Sequence, residues 1–237
     1  TIATTLFTPV RLITGSPPPP QPSKYQADDA WTISEKRSNI LISARLRSRG
    51  KDKTEFLVSN YHMPCAFRTP QVMMLHAALA VKRCRELAGG KDEKGRDLEE
   101  VPFALAGDWN FMPGSPMYKM VTEGVVDKEK TFVEEWEGQF DDHVPAGKWG
   151  GEFEYDKEGM MSAYKSKNGA EPDFTNHARI RDDDPFIGTL DYIFLSKRGG
   201  WKVEGGDAIV GRDEIGGPLP NDDEPSDHVA IGADLVL

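Results

Sequence analysis

The sequence predicts an α/β layered sandwich, and three observations support this prediction. Apolar, β-branched stretches lie towards both ends of the chain, around residues 39–60 and 189–237. Two stretches between them have helical apolar spacing, and each begins at a hydroxyl residue followed by proline and ends at glycine. Strand-rich halves with helices between them are typical of sheets covered by helices. A length of 237 residues suits one domain that covers residues 1–237.

The first part of the chain is predicted to be mainly β-structure. Residues 3–13 form the first predicted strand, and the four-proline run within residues 16–23 is expected to be a stiff, polyproline-like loop. Residues 39–46 and 55–60 are predicted as a hairpin, because Arg-Gly-Lys-Asp at 49–52 is a turn signal. Three alternating arginines would share one face of a strand, either solvated or a track for substrate phosphates: Arg45, Arg47 and Arg49.

Two helices and three further strands follow. Thr69-Pro70 opens a helix that Gly89-Gly90 ends, and His76 within it is interpreted as structural. Ser115-Pro116 and Gly124 bound a shorter helix in the same way. Residues 125–170 are interpreted mostly as ordered loop, and strands are predicted at residues 101–106, 189–195 and 229–237.

The composition excludes several classes of protein. A formal net charge of −10 argues against a protein that coats nucleic acid through a broad basic surface. It leaves open an enzyme that clusters carboxylates around metal ions and binds phosphate locally. No apolar run approaches the roughly 18 residues that a membrane span needs. Two cysteines cannot build a disulfide framework, and an intracellular location is expected, in the cytoplasm or an organelle.

Three polar motifs interrupt or flank apolar strands. Asp108 and Asn110, in Gly-Asp-Trp-Asn, lie two residues apart and would point to the same side of an extended chain, although the motif also fits a turn. Asp191 lies in an apolar strand, where a buried carboxylate needs a partner unless it is exposed at the strand end. Asp227-His228 sets an acid beside a base at the start of the last strand, or ends an acidic loop.

A fourth polar element lies at the end of the predicted 55–60 strand. Asn60 and His62 again combine an amide and an imidazole at a strand end. Other common site types have no matching motif in this sequence: zinc-spaced His/Cys clusters, Walker loops, dinucleotide fingerprints and serine-hydrolase elbows.

In this order and spacing, the four elements resemble the endonuclease/exonuclease/phosphatase superfamily over about residues 55–237. Longer runs are similar to its carbon-catabolite-repressor, nocturnin and Angel branch, which contains poly(A)-specific 3′ exoribonucleases and related phosphatases. The resemblance implies a four-layer α/β/β/α sandwich that is incomplete at the N-terminus of this chain. The runs that carry the resemblance to the branch lie at residues 108–116, 162–164, 171–176 and 186–194.

The resemblance also implies catalytic roles. Asp108 would orient or deprotonate the attacking water, while Asn110 and His62 would bind phosphate oxygens. His228 would stabilise charge on the scissile phosphate, and Asp191 would hydrogen-bond His228 and fix its orientation. This bond should raise the pKa of His228. All these side chains, with Asn60 and Asp227, are expected to converge at one end of the sandwich.

The implied ligands are a metal ion and a nucleotide. Asp227 and Asp108 would support Mg²⁺, or Mn²⁺ in its place, and the substrate would be an RNA 3′ end or a nucleotide phosphate. Phe186 would lie where a base can stack, and Asn60 and Asn176 would contact substrate.

One departure from the family pattern divides two hypotheses. The family's metal-binding Glu falls upstream of Thr1, whereas Trp109 and Tyr61, in place of the usual Phe and Thr, are tolerable changes. The first hypothesis is a magnesium-dependent phosphodiesterase. Its rival is a catalytically degenerate binding or scaffold subunit of a larger assembly, with a protein partner that covers the incomplete N-terminal sheet. From the ligand count, the 237-residue chain alone is expected to bind Mg²⁺ weakly and to hydrolyse little.

Overall fold

The computed structural model describes residues 30–49, 53–67, 69–89, 99–126, 153–180, 185–206, 211 and 214–237. The predictions for residues 3–13 and 16–23 lie outside these ranges. The described elements are α1 (Ala30–Glu35), β1 (Leu41–Arg47), β2 (Glu55–Tyr61), α2 (Pro70–Ala88), β3 (Phe103–Asp108), α3 (Pro116–Glu123), β4 (Met160–Ser162), α4 (Ala163–Asn168), β5 (Asn176–Ala178), β6 (Phe186–Gly188), β7 (Asp191–Ser196), a short 3₁₀ helix (Lys197–Gly199), β8 (Lys202–Gly206) and β9 (Ala233–Val236).

A five-stranded mixed sheet, in the order β1-β2-β3-β7-β4, forms the centre of the fold. β1 and β2 pair antiparallel, as the predicted hairpin requires. β2 and β3 run parallel, and β7 pairs antiparallel with both β3 and β4. The carboxyl ends of β2 and β3 therefore meet at one edge, where the antiparallel β7 begins. This topology brings His62, Asp108 and Asp191 to the same edge of the sheet.

The two faces of this sheet are covered differently. Helices α2 and α3 pack on one face, against buried side chains that include Leu57, Leu105 and Phe194. On the other face, the antiparallel strand pair β8–β9 packs over Ala104 and Leu195. The α/β layered fold class is thus confirmed. None of the helices in the described ranges is long and apolar enough to cross a membrane.

The two predicted helices are confirmed, and the shorter one has the predicted ends. The Ser115 hydroxyl accepts a hydrogen bond from the Tyr118 amide, and Gly124 ends α3 in the left-handed conformation. α2 begins after Thr69 and ends before Gly89, but the Thr69 hydroxyl does not cap it. This hydroxyl instead donates to the Ala66 carbonyl at 3.4 Å.

The second half of the chain differs from the prediction in two places. Residues 127–152 of the predicted loop 125–170 lie outside the described ranges, and residues 153–170 contain β4 and α4, whose first turn is capped by Ser162. β4 has three residues and is defined by its pairing with β7, so a sequence window carries little signal for it. The last strand is shorter than predicted, since it covers only Ala233–Val236.

The arginines of β1 have structural partners. Arg45 and Arg47 both bind the carboxylate of Glu55 on the neighbouring strand. Arg45 also donates to the carbonyls of Leu87 and Ala88, which end α2 and carry its partial negative charge. These contacts favour a structural role for the pair over a phosphate track.

His76 is a buried residue of α2, as its structural interpretation requires. Its exposed fraction is 1%, and its Nδ1 lies 2.6 Å from the Tyr61 hydroxyl. Burial penalises the charged imidazole and lowers the pKa of His76 to about 4. The neutral ring is therefore the form that the fold contains at neutral pH.

We expect His76 to make the fold less stable in acid. In the unfolded chain His76 takes up a proton near its ordinary pKa, so its contribution is complete above that value and is lost as the pH falls towards about 4. The loss should reach about 3 kcal/mol across this window. Urea unfolding between pH 7.5 and 4.5 would measure it. His76→Gln, whose amide can still pair with Tyr61, should show a flatter profile, and parallel profiles for both proteins would contradict the prediction.

Candidate active site

The turn after β3 carries the first two site residues. Asn110 has a left-handed backbone, with φ of +51°, so the predicted extended geometry was wrong for this motif. The turn nevertheless brings the two side chains together. The Asn110 amide N–H donates to Asp108 Oδ1 at 2.9 Å, and its Nδ2 donates to Asp108 Oδ2 at 3.2 Å. Nδ2 also donates to the Met63 carbonyl at 2.9 Å, which ties the turn to the segment after β2.

A close backbone approach holds the ends of β2 and β3 together. Gly107 has φ of +143°, and a Cβ on it would lie 1.9 Å from the Tyr61 carbonyl oxygen. Only glycine fits this contact. Two residues after Tyr61 and one residue after Gly107, the Met63 amide donates to the Asp108 carbonyl at 2.8 Å. The position of Asp108 therefore depends on the packing of glycine against β2.

The partner that the sequence requires for Asp191 is present. Asp191 Oδ2 lies 2.8 Å from His228 Nδ1, which confirms the predicted hydrogen bond. The same oxygen accepts a hydrogen bond from the Thr175 hydroxyl at 2.7 Å. The hydroxyl oxygen of Thr175 in turn accepts the amide N–H groups of Leu190 and Asp191. A half-buried carboxylate is thus held by two side-chain donors.

Sequence reasoning missed Thr175. Its side chain is fully buried and joins β7 to the segment before β5. The Val229 amide also donates to the Thr175 carbonyl, so this residue connects Asp191 with the segment that carries His228. The only sequence signal was its place within the run at residues 171–176, because an isolated threonine has no diagnostic pattern.

Asp227 and Asn176 lie beside this connection. Asn176 Nδ2 donates to Asp227 Oδ2 at 3.2 Å, and the backbones of Asn176 and His228 form an isolated β-bridge. The His177 amide donates to the Asp227 carbonyl at 2.9 Å. These contacts fix the backbone of the Ser-Asp-His motif and leave the His228 ring to point towards Asp108.

Two imidazoles flank the Asp108 carboxylate. His62 Nε2 lies 3.3 Å and His228 Nε2 lies 3.8 Å from Asp108 Oδ2. The His62 side chain is 70% exposed, whereas those of His228 and Asp108 are 27% and 15% exposed. Burial raises the pKa of Asp108, and the Asn110 N–H group opposes this shift. The hydrogen bond that His228 Nδ1 donates to the Asp191 carboxylate raises the pKa of His228, as predicted.

The remaining predicted residues lie at different distances from this centre. Asn60 is exposed on β2, and no hydrogen bond joins its side chain to another site residue in the described part of the chain. Phe186 is half-buried on β6, where its ring and the Met112 thioether both lie against Gly188. Met112 follows Asn110 by two residues, so Phe186 borders the site without a direct contact to Asp108.

The donor set fits a divalent metal ion. Asp108, Asp191 and His228 present ligand atoms that all lie within 4.8 Å of one another. Carboxylate oxygens are the ligands that hard divalent cations prefer. Each carboxylate already accepts two hydrogen bonds, Asp191 both on Oδ2 and Asp108 one on each oxygen. Asp227, which the sequence suggested as a ligand, is not in this group.

We expect Asp191→Asn to lower the pKa of His228. The hydrogen bond to the Asp191 carboxylate is the largest cause that raises this pKa, and an amide cannot stabilise the imidazolium through its charge. NMR titration of the imidazole C–H signals would measure it, with assignment by His228→Gln. Asp234→Asn, on exposed β9, is the control and should leave the titration unchanged. An unaltered His228 pKa in Asp191→Asn would contradict the prediction.

Several proteins of known name are similar to this chain in sequence. The chain is 29% identical over 205 residues to carbon catabolite repressor protein 4 homolog 4 of Arabidopsis thaliana, covering 85% of this chain and 42% of that protein. It is 26% identical over 203 residues to human 2′,5′-phosphodiesterase 12, covering 84% of this chain and 29% of that one. The chain thus spans less than half the length of these curated relatives. No family model matches it.

The fold has a solved counterpart. The crystal structure of ANGEL2, a 2′,3′-cyclic phosphatase, superposes with a TM-score of 0.64 at 20% identity, covering 86% of this chain and 62% of that one. Together with the sequence relatives, the layered fold and the carboxylate–histidine site at its sheet edge support a place in the endonuclease/exonuclease/phosphatase superfamily. Within that superfamily, the sequence relatives support the deadenylase-like branch.

Proposed function

We propose that this site is the catalytic site of a magnesium-dependent phosphodiesterase. The enzyme would act on RNA 3′ ends or nucleotide phosphates, like the poly(A)-specific 3′ exoribonucleases. The observation that carries the proposal is the Asp191–His228–Asp108 alignment, with contacts of 2.8 and 3.8 Å. It combines an oriented imidazole with a carboxylate in one half-buried site. The relatives named for phosphodiester or cyclic-phosphate chemistry support the same reaction class.

The chemistry follows from the charge of each group. Asp108 is the proton acceptor for an attacking water, and its raised pKa makes it a stronger base than an exposed aspartate. The water oxygen forms the new bond to phosphorus and its proton goes to Asp108. The bond from phosphorus to the leaving ribose oxygen breaks, and that oxygen takes up a proton from solvent. The protonated His228 ring stabilises the negative charge that grows on the phosphate oxygens. His62, the most exposed of the three, meets the incoming phosphate.

Further residues of the site would contact the metal ion and the nucleotide base. Asp108, with Asp227 at the edge of the site, would hold Mg²⁺, and Mn²⁺ could replace it. The bound ion would supply positive charge for the phosphate and for its leaving oxygen. Phe186 would stack on a base, and Asn176 and Asn60 would contact the rest of the nucleotide.

Hydrolysis assays test the proposal. We would measure turnover of a short oligo(A), a 2′,5′-linked oligo(A) and a 2′,3′-cyclic nucleotide in millimolar Mg²⁺, in Mn²⁺ and in EDTA. The 237-residue chain is compared with a version that is extended upstream. Turnover that requires metal, stronger in the extended version, is the expected result. Nucleotide binding without turnover in either version would overturn the proposal and favour a binding or scaffold role.

A further inference from the structure

The segment just before β1 lies at the same sheet edge as the candidate active site. β1 pairs antiparallel with β2, and Leu41 at the start of β1 lies opposite Tyr61 at the end of β2. The side-chain amide of Asn39 donates to the His62 carbonyl at 2.8 Å, which ties this segment to the first histidine of the site. A side chain on the residues before Asn39 can therefore reach a ligand that enters past His62.

Arg37 carries an exposed guanidinium in this segment. Its amide donates to the Ser34 carbonyl at 3.1 Å, so the turn after α1 fixes the position of its backbone. Within the described ranges no carboxylate forms an ion pair with the exposed Arg37 side chain. Several other arginines in these ranges are held by carboxylates, among them Arg45, Arg85 and Arg198. The charge of Arg37 is therefore available to a ligand from solvent.

The charges of Arg37 and Asp108 act on the same sulfur atom. Burial raises the pKa of the Cys65 thiol, the charge of Asp108 raises it further, and the charge of Arg37 opposes both. Cys65 is exposed on the segment between β2 and α2, three residues after His62. The thiol thus lies within electrostatic range of both groups, which places Arg37 on the same side of the molecule as the site.

We propose that Arg37 forms a second phosphate subsite, which binds the backbone phosphate next to the scissile one. This inference rests on the proposed function and narrows its substrate class to oligonucleotides, which have a second phosphate, over mononucleotides. The site contains Asp108, Asp191 and Asp227, and the chain has a net charge of −10, so a polyanion needs a local cation in order to bind. A guanidinium supplies two parallel N–H donors to phosphate oxygens.

Equilibrium binding of a fluorescent short oligo(A) to the 237-residue chain in EDTA, with AMP as competitor, tests this inference without turnover. Arg37→Gln should raise the Kd for oligo(A) by about 10-fold and leave the Kd for AMP unchanged. The slope of log Kd against log salt should fall by about 0.7, as for one lost phosphate contact. Arg37→Lys, which keeps the charge, should retain the salt slope. Arg47→Gln is the matched control, since Arg47 is 60% exposed at the other end of β1.

Three outcomes would overturn the inference. The first is an unchanged Kd and salt slope for oligo(A) in Arg37→Gln. The second is an equal loss in Arg47→Gln, because a general change of surface charge would then explain both variants. The third is an equal loss of AMP affinity, since Arg37 would then bind the scissile phosphate itself. An Arg37-dependent preference for oligo(A) in a chain that hydrolyses nothing would support the subsite and count only against the proposed activity.

Discussion

In the version that is extended upstream, Asp108→Asn should lower kcat for phosphodiester hydrolysis by about 1,000-fold, the usual size of a lost general base. The amide keeps nearly the same shape but cannot accept a proton from water. Because burial raises the pKa of Asp108, keeping this carboxylate charged lowers the stability of the fold. The substitution should therefore leave the thermal unfolding temperature unchanged or raise it. Single-turnover assays with oligo(A) and thermal melts would measure the two effects separately.

The control for this prediction is Asp234→Asn, since Asp234 is exposed on β9, away from the site. It should change neither activity nor stability. Wild-type activity in Asp108→Asn would contradict the proposed role, and a large fall in stability would make any loss of turnover uninformative about chemistry.

In the wild type, activity needs Asp108 deprotonated and His228 protonated. Since both pKa values are raised, both limbs of a bell-shaped pH profile should be shifted to higher pH.

The site residues were predictable where a polar side chain breaks an apolar pattern. Asp191 in β7 is the clearest case, because a carboxylate inside an apolar strand requires a partner. His228 was named as that partner because the resemblance to the family implies this hydrogen bond. Thr175 gave no comparable signal, because a threonine is equally at home in any loop or strand. Its role depends on contacts between segments that lie 16 residues apart.

The fold was predictable to the extent that its elements are long. α2 has 19 residues with terminal proline and glycine signals, so its sequence alone defines it. β5 and β6 have three residues each. They are defined by pairing with each other and by contact with the segment that carries His228. Such elements are set by tertiary contacts that no short sequence window contains. The roles assigned to Asn60, Asn176 and Phe186 stay predictions.

Gly107→Ala should be the most destabilising single-methyl change at the site. The added Cβ would lie 1.9 Å from the Tyr61 carbonyl oxygen and 2.8 Å from its carbon, both backbone atoms of β2. β2 has to move away from β3, and a φ of +143° adds strain for any residue with a side chain. We expect a loss of about 3 kcal/mol or more in the free energy of unfolding.

Gly114→Ala separates the clash from the backbone strain in this prediction. Gly114 also has a positive φ, +81°, but a Cβ there meets no atom within 4 Å. It should cost only about 1 kcal/mol, and urea unfolding of both variants would measure the difference. Gly107→Ala should also reduce hydrolysis without touching a reacting group, because Met63, which binds both Asp108 and Asn110, follows Tyr61 by two residues. Equal losses of stability in the two variants would show that the fit of glycine against β2 does not control the site, since strain alone would then account for both.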